Sequence, residues 1–412
     1  MLYRILNRLV GVEIDSSLRP LLLVSFLSTV AFSALWSFIG IWASSDLHAS
    51  PIIIGIMYAM DATAAATTGY QGGRWSDRVG RRQAIGLAWG AQSIASLALS
   101  VCGHDLIFGI VMVVIAGAAS GPGFAATNAM VGDLVPKHNS ETAYGTLRVV
   151  TNIGYMAGPP LGGLALVGNH WFIFFLGIAL MGLISATAAF VLLRDDHVVE
   201  NGVPSEHQIN LRTLFNDRPF LLILLSTFAG FLVYTAYEVM LPIAAVMSYR
   251  LSATTWGLLA MINPILIVAF QGRFIKATRR ISMMLKLGGS LVLMGTPFLI
   301  LITISSRWGI ALVLILFAFG EMIWGPTSQA FAASLASEAN RGAYLGTFGA
   351  SGSAAWAVGP LVDLYLRGIG GMAATWAFTA LMGAAAGLIG MAAFRLAGRH
   401  GRCGTHSIAP NG

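Results

Sequence analysis

Twelve stretches of this chain run for about twenty residues or more with almost no charge: 19–43, 51–71, 83–101, 105–131, 142–166, 171–193, 219–244, 255–274, 284–305, 308–333, 342–366 and 372–395. An α-helix rises 1.5 Å per residue, so each stretch is long enough to cross the ~30 Å hydrocarbon core of a bilayer. Inside hydrocarbon a segment must satisfy its own backbone hydrogen bonds. None of the stretches shows the period-two alternation of a barrel strand, so each reads as a helix. Composition agrees: 56% of the 412 residues are hydrophobic and 10% are charged, with a mean hydropathy of +0.76, where a soluble domain carries about 25% charge. The expected fold class is an all-α membrane protein with twelve transmembrane helices, and a soluble globule is excluded.

The formal charge of +7 would point to nucleic acid only if the basic residues shared one surface. They alternate from loop to loop instead, so no nucleic-acid partner is expected. With the N-terminus inside, the cytoplasmic segments hold Arg4, Arg8, Arg74, Arg78, Arg81, Arg82, Lys137, Arg194, Arg212, Arg218, Arg273, Lys276, Arg279, Arg280, Lys286, Arg341, Arg395, Arg399 and Arg402, against Arg250, Arg307 and Arg367 outside. This is the positive-inside bias, and a missed helix would invert every later loop. It places both termini in the cytoplasm and the chain in the cell (inner or plasma) membrane, in contact with the lipid bilayer. The first apolar run is too long for a signal-peptide core and is expected to remain as the first helix. Cys102 and Cys403 fall on opposite sides, so neither a disulfide nor a metal framework is expected.

The long polar segment 194–218 divides the chain into an N-terminal half, 1–193, and a C-terminal half, 219–395, followed by a cytoplasmic tail, 396–412. The halves echo one another. Gly145-Thr146 precedes Gly158-Pro159 at the spacing by which Gly346-Thr347 precedes Gly359-Pro360, and Gly121-Pro122 is matched by Gly325-Pro326. A parallel repeat of this kind is expected of two six-helix bundles related by an axis along the membrane normal. The segment from Gln271 to Arg280 is then a degenerate twin of Gly73 to Arg82 that lost its aspartate and kept its bases.

That earlier segment reads Gly73-Arg74-Trp75-Ser76-Asp77-Arg78-Val79-Gly80-Arg81-Arg82. Its glycines suit a sharp turn between closely packed helices. Asp77 is placed to cap the third helix or to pair with Arg78, Arg81 or Arg82, while the plain alternative is a set of interfacial anchors. The pattern resembles the signature loop of the major facilitator superfamily, which joins the second and third helices on the cytoplasmic side. The resemblance implies two pseudo-symmetric six-helix bundles in a monomer, working by alternating access. It also implies that the loop latches onto the inner end of a neighbouring helix, here at Asp133, and stabilises the outward-open state.

In the fifth stretch, Gly154, Gly158, Pro159, Gly162 and Gly163 combine small residues at helical spacing with a proline bend. They resemble the Gly-x-x-x-Gly-Pro-x-x-Gly-Gly pattern of the antiporter branch, although a packing seam alone would also use glycine. One departure stands out. Efflux members commonly carry an arginine a few residues before a glycine such as Gly117, and no Lys or Arg occurs in 105–131. Arg148 is the substitute cation, or it snorkels to the interface.

An ionisable side chain deep in a span costs about 2.5–3.5 kcal/mol on insertion scales. Asp61, Glu238 and Glu321 are therefore the proton-coupling candidates, each with a hydrogen-bonded packing role as the alternative. Glu321 ranks first because Gly320-Glu321-Met322 through Pro326 resembles the tenth helix of bacterial multidrug-type members. Asp363 is expected at the outer interface. Asn128, Asn152, Asn263, Gln271 and Gln329 are candidates for a polar path or for interhelical hydrogen bonds, and Trp36, Tyr155, Trp324 and Trp356 for apolar cavity walls.

All eight histidines lie in loops or tails, and neither a zinc-protease helix nor a phosphate-binding loop occurs, so no enzyme, cofactor or metal is expected. The resemblance implies a secondary transporter whose partners are protons and a small-molecule substrate, exporting small apolar or amphipathic molecules. The alternatives are proton-coupled uptake of a sugar or other small metabolite, and a substrate sensor that does not transport.

Overall fold

The computed structural model describes residues 16–135, 140–168, 170–194, 216–336 and 341–399. Most of the polar segment 194–218, most of the tail 396–412, and Lys137 lie outside the described residues. The described chain is helical from end to end, as α1 (Arg19–Ser45), α2 (Pro51–Val79), α3 (Arg81–Cys102), α4 (Leu106–Leu134), α5 (Ser140–Ala165), α6 (Trp171–Leu192), α7 (Arg218–Ser248), α8 (Ala253–Arg280), α9 (Met283–Thr303), α10 (Arg307–Ser334) and a last run, Arg341–Arg399. Among the described residues ten helices are long and apolar enough to cross a membrane.

Two further observations bear on the count. Helix α5 is 26 residues long, and the last run of 59 residues contains Gly371 at φ 67°, outside helical geometry. An unbroken rod of that length would reach about 90 Å, three bilayer cores. It is two helices, α11 (341–370) and α12 (372–399).

Helix starts follow local chemistry. Pro51 and Pro219 occupy first-turn positions where a missing N–H is harmless. Asp105, Ser252, Ser282 and Ser306 each accept a hydrogen bond from a first-turn N–H, at 2.7–3.4 Å. Helix α7 departs from this regularity, since Ala236–Met240 and Ala244–Ser248 are wound as π-helix.

Two compact units form. The first holds residues 1–203, 237–268 and 360–369, and the second holds 204–236, 269–359 and 370–412. The units therefore cut across the halves of the sequence: part of α7, the first part of α8 and ten residues of α11 pack with the N-terminal helices. Each unit has a buried apolar core, and eight positions of the first have a counterpart in the second. Leu18, Leu21, Ile85, Val131, Val135, Ala143, Ala189 and Leu193 in the first are answered, about 200 positions later, by Phe220, Ile223, Leu287, Phe331, Leu335, Tyr344, Ala393 and Ala397 in the second. The repeat is thus a repeat of packing as well as of motifs.

Candidate transport site and its latch

The expected loop from Gly73 to Arg82 is mostly helix. Helix α2 continues through Val79, Gly80 alone breaks it at φ 97°, and α3 begins at Arg81. That φ is open to glycine and strained for other residues. Gly73 does not serve the close packing expected of it, because a Cβ there would meet open space. The close contact is made by Gly72, whose added Cβ would lie 2.6 Å from Pro122 Cα. Trp75 and Val79 pack on the core of the first unit, which fixes the turn in place.

Arg81 organises the charges. Its Nε donates to Asp133 Oδ2 at 3.0 Å, its Nη2 reaches Asp77 Oδ1 at 2.5 Å, and its Nη1 donates to Ser76 Oγ. The Asp133 side chain is 28% exposed and that of Asp77 is 55%, so the Asp133 arm is the less screened of the two. Arg78 and Arg82 are exposed.

In the first unit, Asp61 of α2 is buried at 7% exposure against α4, where a Cβ on Gly117 would collide with its carboxylate. The glycine that an arginine precedes in the family pattern here makes room for an acid. Among the described residues the Asp61 carboxylate has neither a hydrogen bond nor an ion pair. Tyr58, one turn earlier, lies within electrostatic range of both Asp61 and Glu238, and Glu238 within range of Tyr155. Around this group Trp36 stands edge-on to Tyr58 at 5.1 Å between centroids, and Phe32 contacts Trp36, Phe124 and Tyr155 at 5.9, 5.3 and 6.5 Å.

In the second unit, Glu321 of α10 is half-buried and accepts a hydrogen bond of 2.7 Å from the Tyr234 hydroxyl of α7. Tyr234 also stands against Phe231, Phe317 and Trp356 at 6.0, 5.4 and 6.2 Å, and Trp324 is buried edge-on to Phe231 at 5.0 Å. Tyr234 and Glu238 are four residues apart, which on a regular helix would put them on one face. Glu238 lies within the π-helical turn Ala236–Met240, whose wider winding shifts its register relative to Tyr234.

The glycine motif of α5 is a seam. Cβ atoms at Gly154 and Gly158 would press on Thr29 and Ser33 of α1, and one at Gly162 would sit 3.0 Å from Phe38 and Phe174. Gly163 faces α8: its carbonyl accepts a 3.0 Å hydrogen bond from Thr254, and a Cβ on Gly257 would lie 2.5 Å from the Pro159 carbonyl oxygen. Gly55 of α2 abuts Leu361 in the same way. These contacts lie in the first unit, and those of Gly163, Gly257 and Gly55 join residues from both halves of the sequence.

Other candidates are dispersed. Asn263 is buried at 4% exposure, Gln271 and Asn152 are half-buried, and Gln329 is exposed. Asn128 donates to its own helix at the Phe124 carbonyl. Arg148 is exposed and makes no ion pair among the described residues. Asp363, expected at the interface, is 1% exposed, because its segment of α11 packs within the first unit. Tyr58 and Tyr234 escaped the reading of the sequence. Their signal was a tyrosine one turn before a mid-span acid.

Comparison with known proteins decides the family. The model of the Major Facilitator Superfamily matches residues 21–360. The chain belongs to the major facilitator superfamily. It is a membrane transporter of that superfamily, whose members carry small molecules. The uncharacterized MFS-type transporter YttB of Bacillus subtilis is 24% identical over 351 residues, 84% of this chain and 87% of that one. The quinolone resistance protein NorA of Staphylococcus aureus is 23% identical over 193 residues, 47% of this chain and 49% of its own. The crystal structure of the nucleoside transporter NupG superposes with a TM-score of 0.76 at 14% identity, covering 92% of this chain and all of NupG. At that identity the likeness is one of fold.

Proposed function

We propose that this transporter exports small apolar or amphipathic molecules in exchange for protons, by alternating access between two six-helix bundles, 1–193 and 219–395, as a monomer of the cell membrane with both termini cytoplasmic. The observation that carries this reading is Glu321, a carboxylate in mid-span with a tyrosine hydroxyl as partner and aromatic rings around that tyrosine. A carboxylate so placed can accept a proton and, once protonated, turn from hydrogen-bond acceptor to donor. Rings offer apolar substrates contact without fixing one structure. Asp61 and Glu238, near Tyr58, form a second acidic group among rings. The partial match to NorA, a quinolone resistance protein by name, favours export. The Arg81 clamp would bias one access state, and the α5 seam would have to part for release outside.

The test is pH-gradient-driven flux beside substrate counterflow in the same vesicles. Glu321→Gln mimics the permanently protonated state and is expected to keep counterflow while abolishing uphill transport. Asp61→Asn and Glu238→Gln run in parallel. Uphill transport surviving in Glu321→Gln but lost in one of the others would move the proton to that residue.

A further inference from the structure

Between α7 and α12, within the second unit, a cleft of about 330 Å³ is lined by Leu222 on α7 and by Leu388, Met391, Ala392 and Leu396 on α12, and it ends at Arg395 and Arg399. Leu388, Met391, Arg395 and Arg399 recur every three or four residues and share one face of α12. From residue 388 to 399 the helix rises about 16 Å, close to half the ~30 Å hydrocarbon thickness. The cleft thus has the length of one leaflet, apolar at its deep end and cationic at its shallow end. Arg218, one turn before Leu222, adds a third exposed positive charge at the same end of the unit, where Phe220 packs with Ala393 and Ala397. Arg395 and Arg399 are exposed, and neither makes an ion pair among the described residues.

We propose that this cleft binds one anionic phospholipid, its phosphate held by Arg395 and Arg399 and one acyl chain laid along Leu388, Met391 and Leu396. At this depth the surrounding solvent is lipid, so an apolar groove is filled by hydrocarbon. Two guanidiniums one turn apart offer a phosphate charge-assisted, bidentate hydrogen bonds. A zwitterionic headgroup brings its own cation and cancels much of that attraction. In the proposed topology the arginine end faces the cytoplasmic leaflet, where anionic lipid attracts basic segments beside a span. The proposal does not depend on what the transporter carries.

Native mass spectrometry of the full-length protein, released from micelles containing phosphatidylglycerol and phosphatidylethanolamine, reads the site directly. One phosphatidylglycerol is expected to stay bound in preference to phosphatidylethanolamine, and the double variant Arg395→Gln with Arg399→Gln should weaken its retention about thirtyfold. The double variant Arg279→Gln with Arg280→Gln removes the same charge from another loop and should leave retention unchanged. Leu388→Trp fills the deep end, keeps both arginines and should also weaken retention, which carries the test if the arginine variant does not fold. Unchanged retention in the arginine and tryptophan variants, or equal loss in the Arg279 and Arg280 control, overturns the site. Full displacement by millimolar inorganic phosphate would make it a site for the free anion and overturn the lipid assignment.

Discussion

At the junction of α2 and α3, Arg81 is held between Asp77 and Asp133, while about 200 residues later the positions equivalent to Asp77, Arg81 and Asp133 are Arg279, Met283 and Ala333. The apolar contacts around them are kept: Ile85 is answered by Leu287, Val131 by Phe331 and Val135 by Leu335. Deeper in the membrane the same contrast recurs. Asp61 in α2 corresponds to Asn263 in α8, both buried, one an acid and the other an amide. The helix crossings are shared, since Gly158 rides over Ser33 as Gly359 rides over Thr235. Both halves solve one packing problem with one set of small residues. Charge is not needed for that solution, so a clamp that among the described residues forms in only one half marks a task of that half.

The equivalence of the two turns requires both to lie on one side of the membrane, with α3 ending on the other. In intact cells an impermeant thiol reagent should label Cys102, exposed at the end of α3 that the proposed topology places outside, and labelling only after permeabilisation would reverse that topology. That outcome is all or none.

Shared crossings should be equally intolerant. Gly158→Val and Gly359→Val are each expected to destabilise the protein by about 1 to 3 kcal/mol, read as lost thermal stability in detergent. A large effect in one half with none in the other would break the equivalence of the crossings.

The clamp should be unequal in its arms. Arg81→Gln leaves two carboxylates facing one another and should lower transport five- to 150-fold, the range of a coupling worth about 1 to 3 kcal/mol. Asp133→Asn should cost less, and Asp77→Asn least, since an exposed pair contributes at most about 1 kcal/mol. Flux at equal expression measures this, and an Asp77 effect larger than that of Asp133 would move the latch to the exposed arm. The smallest change belongs to the second turn: Arg279→Gln should leave flux within about twofold, as Arg279 makes no ion pair among the described residues.

Much of this was legible along the chain. Length and apolarity dictate helices, because a segment in hydrocarbon has no other way to satisfy its backbone. The two glycine-proline matches announced the repeat, the acid-base pattern from Gly73 to Arg82 announced a charged turn, and its resemblance to the superfamily's signature loop implied Asp133 as the partner. Other features were not legible. Asp363 reads as interfacial by its position near a helix end, yet burial depends on which face of α11 meets a neighbour. Gly73 looks like a packing glycine, and Gly72 is the one against Pro122. One residue along a helix turns a side chain by about 100°, and periodicity in a uniformly apolar span does not reveal that phase.

By itself the sequence determined the helical membrane class, the order of the spans, the repeat and the residue types available for chemistry, all of which follow from local composition and spacing. Only the tertiary structure decided that Arg81 joins Asp77 to Asp133, that Glu321 meets Tyr234, and that Asp61 lies in the hollow left by Gly117. It also decided that Tyr234 meets Glu321 in the second unit, while Glu238, four residues on and within the π-helical turn, packs with the first unit. These pairings join residues distant in the chain or depend on a change of helical register, and local preference encodes neither.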